Sequence, residues 1–235
     1  MEPIRQAGIR SGSPRAACRL IVFATVASLA ACSADLSPEK SLISTSIELA
    51  GTATHELTID VPANAPILIT VSGHAVDVKT SVAAANDSSG VFADAPNRRM
   101  GVETLFVEAA QARSLTIRIA RNDHSAARGR VDVTAVALPL ATDSDRRRLE
   151  AARSDAMACL SYANIQHGRA SADAFAEAAR LHAGNDDHYR EGLARLHAAG
   201  VHYTRLADWA GTVELASQAV SALERAAEQI GRAHV

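Results

Sequence analysis

The sequence predicts an all-β antiparallel sandwich followed by an all-α array of helical hairpins. Three observations carry that reading. Between Ile43 and Leu138 apolar residues recur with a period of two, as in half-buried strands. From Asp143 onward the period becomes 3.6, as in amphipathic helices. Pro139 and the stretch ATDSD punctuate the change. A chain of 235 residues is long enough for one large or two small domains.

The first element is a leader. Arg5, Arg10, Arg15 and Arg19 precede a 12-residue apolar run, Leu20–Ala31, and only Glu2 opposes them. About 20 residues are needed to span a bilayer, so the run is too short for that and fits the apolar core of a secretory signal. It closes on Leu29-Ala30-Ala31-Cys32. These residues resemble the lipobox of bacterial lipoproteins. The resemblance implies removal of residues 1–31 as a signal peptide and lipidation of Cys32, which would anchor the mature chain in the membrane. Ser33, in place of an aspartate, implies sorting to the outer membrane of the cell envelope. Residues 32–42 then form a lipidated tether.

Charge and cysteine content narrow the function. Without residues 1–31, 20 basic side chains face 25 acidic ones, a net charge of −5, which argues against a nucleic-acid partner. Aromatic residues make up only 3% while alanine is abundant, which suits thin helical layers. Once Cys18 is cleaved away and Cys32 is lipidated, Cys159 has no disulfide partner. Its place on an apolar stripe makes it a small core residue.

Residues 43–140 form the expected β-sandwich. ISTSIEL, HELTIDV, PILITVS, VDVKTSV, GVETLFVEA, SLTIRIAR and GRVDVTAVAL are its seven predicted strands, with SGHA and NDSSG as turns. PILITVS is the most continuously apolar and reads as an inner strand. Gly73, Asp77, Asp94, Pro96, Asn97, Gly101 and Glu103 follow a pattern similar to the pre-peptidase C-terminal type of sandwich, over about Ile43 to Leu138. That resemblance implies a fold and no reaction. Asn86, Asp87 and Asp94 offer oxygens for calcium, but Asn and Asp also favour turns, and no metal is assigned.

Residues 141–229 form the expected helical array. Ser144 or Asp145 is placed to cap the first helix, Ser171 the second and Asp208 the fourth. Cys159 and Tyr162 match Gly200 and Tyr203, and Phe175 and Ala178 match Ala216 and Ala219, all at an offset of 41 residues. The pattern resembles a tetratricopeptide-type repeat. It implies that Cys159 and Gly200 let the helices of a unit approach, with Tyr162 and Tyr203 filling the gap. It also implies a protein or peptide partner. A plain four-helix bundle is the alternative.

Ile230–Val235 read as the translation of a sequencing-library adapter, which predicts a gene continuing past Gln229. The order of lipoprotein signal, sandwich and helical repeats resembles the front of proteins ending in a caspase-like CHAT peptidase domain. The expected function is a lipid-anchored cell-envelope protein whose sandwich and helical array are non-catalytic. The alternative is the regulatory front of an exported CHAT-type cysteine peptidase. No Gly-x-Ser-x-Gly elbow, phosphate loop, Cys-x-x-Cys or His-Glu-x-x-His occurs, so no catalytic residue or cofactor is assigned. His197 and His202 are five apart and do not share a helix face. His182, Asp186, Asp187 and His188 read as an inter-helix turn, and Arg146–Arg148 as a solvated face.

Overall fold

The computed structural model describes residues 39–84, 90–97, 101–122 and 128–233. Cys32, the signal region, Asn86 and Asp87 lie outside the described residues. Eight strands are described: β1 (Lys40–Leu49), β2 (Thr54–Val61), β3 (Pro66–His74), β4 (Val78–Ala84), β5 (Val91–Ala93), β6 (Val102–Glu108), β7 (Arg113–Arg121) and β8 (Gly129–Ala137). They form two antiparallel four-stranded sheets, ordered β1-β8-β3-β6 and β2-β7-β4-β5.

Alternation decides what each strand buries. Ile67, Ile69 and Val71 of β3 share a buried face, and so do Val131, Val133 and Ala135 of β8. Leu115, Ile117 and Ile119 of β7 face them from the other sheet within one core. β3 is buried on its outer face too, because Leu68 packs with Leu138, Leu149 and Ala152. That second cover explains why PILITVS reads as continuously apolar.

Three local expectations change. β1 begins at Lys40, inside the segment expected as tether, because a bulge between Ser41 and Ile43 lets pairing with β8 continue to Ala137. β5 was not expected: it is three residues long, and Val91 and Phe92 are both exposed, so no alternation marks it. The SGHA turn falls later. Gly73 and His74 belong to β3, and Ala75 makes the turn at φ 63°. A Cβ at Gly73 would lie 2.2 Å from the Val76 carbonyl oxygen, and one at Gly129 2.4 Å from the Val76 Cβ. Both glycines let that turn fold back onto β3 and β8.

Four helices follow: α1 (Asp143–Ala163), α2 (Gly168–Ala183), α3 (His188–Val201) and α4 (Trp209–Ala233). Ile230–Ala233 continue α4. Each helix packs on the next in sequence. Thr142, not Ser144 or Asp145, caps α1: its Oγ accepts the Asp145 N–H at 3.0 Å, and the Asp145 carboxylate accepts the Thr142 N–H at 2.9 Å. Ser171 lies inside α2 and donates to the Ala158 carbonyl at 2.9 Å instead of capping. Asp187 caps α3 through the Arg190 N–H, and Asp208 caps α4 through the Gly211 N–H.

The helical interior is built mainly of alanine: Ala151, Ala158, Ala172, Ala179, Ala198 and Ala222 are among its buried residues. Charge pairs reinforce it. Glu191, 3% exposed, accepts from Arg195 at 3.0 Å and Arg225 at 3.0 Å, tying α3 to α4. Arg148 is not solvated as expected, for it pairs with Glu39 beside β1. No described helix is long and apolar enough to cross a membrane.

Candidate functional site

The helices meet the sandwich at Pro96, Asn97 and Val102. The Val102 N–H donates to His197 Nε2 at 3.4 Å, and the Cys159 thiol points to the Val102 carbonyl at 3.9 Å. The His197 ring lies 5.1 Å from that of Phe175, which is fully buried. At Gly200 a Cβ would come within 2.4 Å of Asn97 Oδ1 and 3.1 Å of Pro96. Cys159 and Gly200 therefore use their small size against the sandwich, where the repeat pattern places them between paired helices. Sequence spacing cannot reveal this, since Gly200 and Asn97 are far apart in the chain.

The other repeat positions divide. Tyr162 is buried, with the Arg205 guanidinium 4.7 Å from its ring centre and its hydroxyl 3.4 Å from Thr204. Tyr203 does not fill an equivalent gap: it is 54% exposed and meets Trp209 edge-on at 5.0 Å. The cause is a π-type turn over His202–Leu206, ending at Ala207 with φ 50°. The extra residue in that turn rotates Tyr203 off the inner face. Phe175, Ala178 and Ala219 are buried, and Ala216 is half-buried.

The joint concentrates groups that burial discharges. Burial, aided by the Asp77 charge, raises Asp94 to about 6, against the pull of Arg205 and Lys79. Burial also pushes Glu103 well above the carboxylate range, with Asp94 and Asp77 adding to it. Burial lowers His197 to about 4 against the attraction of Asp155, and it raises the Cys159 thiol further above its ordinary value. A neutral buried thiol is a poor nucleophile. The His197 lone pair is also occupied by the Val102 N–H, so the two side chains do not form a thiol–imidazole pair.

A second polar cluster lies on β1, β3 and β8. Asp132 accepts from Ser46 Oγ at 2.5 Å, contacts His74 Nε2 at 2.7 Å and accepts from Arg130 Nη2 at 2.7 Å. The Arg130 hydrogen bond above all holds Asp132 far below the usual carboxylate range. A serine triad needs imidazole between hydroxyl and carboxylate. Here the carboxylate sits in the middle, so Ser46 has no base. His182 is buried against Asp155 at 2.7 Å, with Asp187 at 4.0 Å, and His188 pairs with Glu191 at 3.1 Å. Among the described residues no group of three or more His, Cys, Asp or Glu side chains is arranged to hold a metal.

A groove of about 430 Å³ opens between α2 and α4 at the helical end. Ala172 of α2 and Ala198 of α3 are buried and give it a small-residue floor, while the exposed Ala176 lines its side. Asp173, Asp208 and Glu214 border it, and its lining includes no Lys or Arg. His202 Nδ1 lies 2.9 Å from Asp208, whose other oxygen accepts the Gly211 N–H at 3.0 Å. These bonds, the backbone one first, hold the Asp208 carboxyl below its ordinary value, so it stays ionised. A Cβ at Gly211 would lie 2.5 Å from Asp208 Oδ2 and 2.6 Å from His202 Nδ1, so the turn requires glycine. Sequence reasoning found Asp208 as a cap and missed the groove, because only folding brings Asp173 of α2 and Glu214 of α4 into one lining.

No family model matches the chain. No curated protein matches it. Among solved structures it is similar to the pre-peptidase C-terminal domain of a collagenase from Bacillus anthracis, at 13% identity and a TM-score of 0.32, over 40% of this chain and 89% of that one.

Proposed function

We propose that this chain is a lipid-anchored, non-catalytic protein of the bacterial cell envelope, most consistent with the outer membrane, whose helical half binds an extended segment of a partner protein. The carrying observation is the groove between α2 and α4: a floor of alanines bordered by Asp173, Asp208 and Glu214. Alanine leaves room for backbone to approach, and a volume of about 430 Å³ lies in the range of ligand clefts. Three carboxylates without a lining cation favour a segment carrying Lys or Arg. The anchor rests on Leu29–Cys32, and the sandwich serves as the body that carries the helices.

Fluorescence anisotropy with a labelled Lys/Arg-rich peptide and its Asp/Glu counterpart tests the groove. The basic peptide is expected to bind, to weaken with salt, and to lose roughly tenfold or more in affinity in Ala176→Phe, which narrows the groove. Equal binding of the acidic peptide, or no effect of the substitution, contradicts the reading. Mass spectrometry of the mature N-terminus tests the anchor: Cys32 carries acyl chains, and an unmodified Cys32 refutes it.

A further inference from the structure

The sandwich and the helices share one end, and the chain enters the fold there. Glu39 pairs with Arg148 of α1, and Lys40 opens β1 opposite Ala137 of β8. Leu140 lies in the short link from β8 to α1. Arg147 of α1 donates to Asn185, just before α3, at 3.2 Å. Tyr189 and Arg190 stand in the first turn of α3, and the Arg190 charge acts on Arg148. Leu140 is 46% and Tyr189 43% exposed. Lys40 and Arg147 are exposed too, and the Arg147 guanidinium rests on a neutral amide. The acids of this end are largely engaged: Glu39 by Arg148, Asp143 by Arg146 and Asp187 by Arg190, with Asp186 exposed beside them.

We infer that this end lies on a phospholipid surface, with Leu140 and Tyr189 entering the headgroup layer and Lys40 and Arg147 reaching its phosphates. The inference rests on the anchor at Cys32. Glu39 follows Cys32 by seven residues, at most about 25 Å of chain, so an anchored molecule keeps this end within that reach of the bilayer. The side chains suit the contact. Leucine is apolar, and tyrosine joins an apolar ring to a polar tip. Lys and Arg extend apolar stems while their charges stay at phosphate depth. Engaged acids bring less repulsion than free carboxylates would. The other end of the helices differs. Gln229 donates to the Asp186 carbonyl at 3.5 Å, and from there α4 runs back about 30 Å to Trp209. Asp208 and Glu214, on the acidic border of the groove, stand at that far end. The orientation therefore turns the groove away from the bilayer, toward a partner.

The test uses the mature chain from Cys32, since the compact unit of the fold follows that residue. Cys32 is coupled to maleimide-bearing phosphatidylethanolamine in vesicles of phosphatidylethanolamine and phosphatidylglycerol, while Cys159 is buried and stays unreacted. Chemistry thus supplies the anchor, whatever the cell does to Cys32. Brominated acyl chains in the vesicle quench tryptophan at short range. Leu140→Trp/Trp209→Phe is expected to be quenched several-fold more than the unsubstituted chain, whose Trp209 stays about 30 Å away. Adding Arg147→Glu/Tyr189→Glu is expected to cut that quenching roughly threefold or more, with coupling and circular dichroism unchanged. No quenching at position 140, equal quenching of Trp209, or indifference to the Glu pair each overturns the inference. Failure of the anchor itself reads out separately, as an unmodified Cys32 in the mass spectrum of the cellular protein.

Discussion

The sandwich and the helices fill their interiors with different residues. The sandwich buries Ile67, Ile69, Val71, Leu105, Leu115, Ile117 and Ile119, branched side chains that interlock across two sheets. The helices bury mainly alanines, with Phe175 and His182 as the large side chains fully buried among their described residues. Alanine lets helices approach closely but removes little apolar area per residue. The helical layers therefore depend on neighbours, and the first neighbour is the sandwich. Cys159, Tyr162, Phe175, Ala198 and Val201 belong to the same continuous core as β3, β7 and β8. One half is held by its own interlocking, and the other by being held against it.

Phe175→Ala breaks this arrangement most. It empties the site beneath His197 and is expected to cost about 3–5 kcal/mol, read by urea denaturation. Loss of that size from a helical side chain, with the sandwich melting at the same midpoint, shows the halves to be coupled.

Gly200→Ala sharpens the comparison through its sign. Helix propensity alone favours alanine by about 1 kcal/mol. Contact with Asn97 and Pro96 is expected to reverse this into a net loss of about 1–2 kcal/mol. A gain in thermal stability would show that α3 stands clear of the sandwich.

Asp94→Asn is expected to stabilise. The folded state raises Asp94 from its ordinary 3.8 to about 6, so it binds its proton more tightly than the unfolded chain. Asp94 thus makes the fold most stable at and below pH 4 and removes stability as pH rises through 6. The amide removes that loss, a gain of about 1–2 kcal/mol at pH 7.5 once residual solvation is allowed for. The gain vanishes near pH 4. His197, lowered to about 4, acts in the opposite sense: its contribution is present above pH 6.5 and fades as pH falls toward 4. Melting temperatures of both proteins from pH 4 to 8 separate the two groups.

Arg153→Ala is the mildest change. Arg153 lies 5.3 Å from the Phe106 ring centre and pairs with Glu108, all at the surface. A loss of about 0.5–1 kcal/mol is expected from chemical denaturation.

Much of this contrast was legible in the sequence, because it rests on local periods. The alternation of HELTIDV and SLTIRIAR identified strands that pair residue for residue as β2 and β7. The excess of alanine announced thin helical layers. Asp208 was visible as a cap. What was hidden came from contacts between distant residues or from small register changes. β5 is too short to show a period. Tyr203 has the spacing of an inner residue, and a single π-type turn moves it outside. Gly200 reads as a helix–helix contact until Asn97 stands against it. The groove needs Asp173 of α2 and Glu214 of α4 in one lining, which no local pattern encodes.

The dependence of the helices on the sandwich is tested most directly by native-state hydrogen exchange. If the shared core joins the halves, the amides of Ala194–Val201 in α3 and of Val131–Ala135 in β8 exchange with the same opening free energy, and Phe175→Ala lowers both equally. Exchange of α3 at a clearly lower free energy, with β8 untouched by the substitution, would show two independent halves and contradict the account.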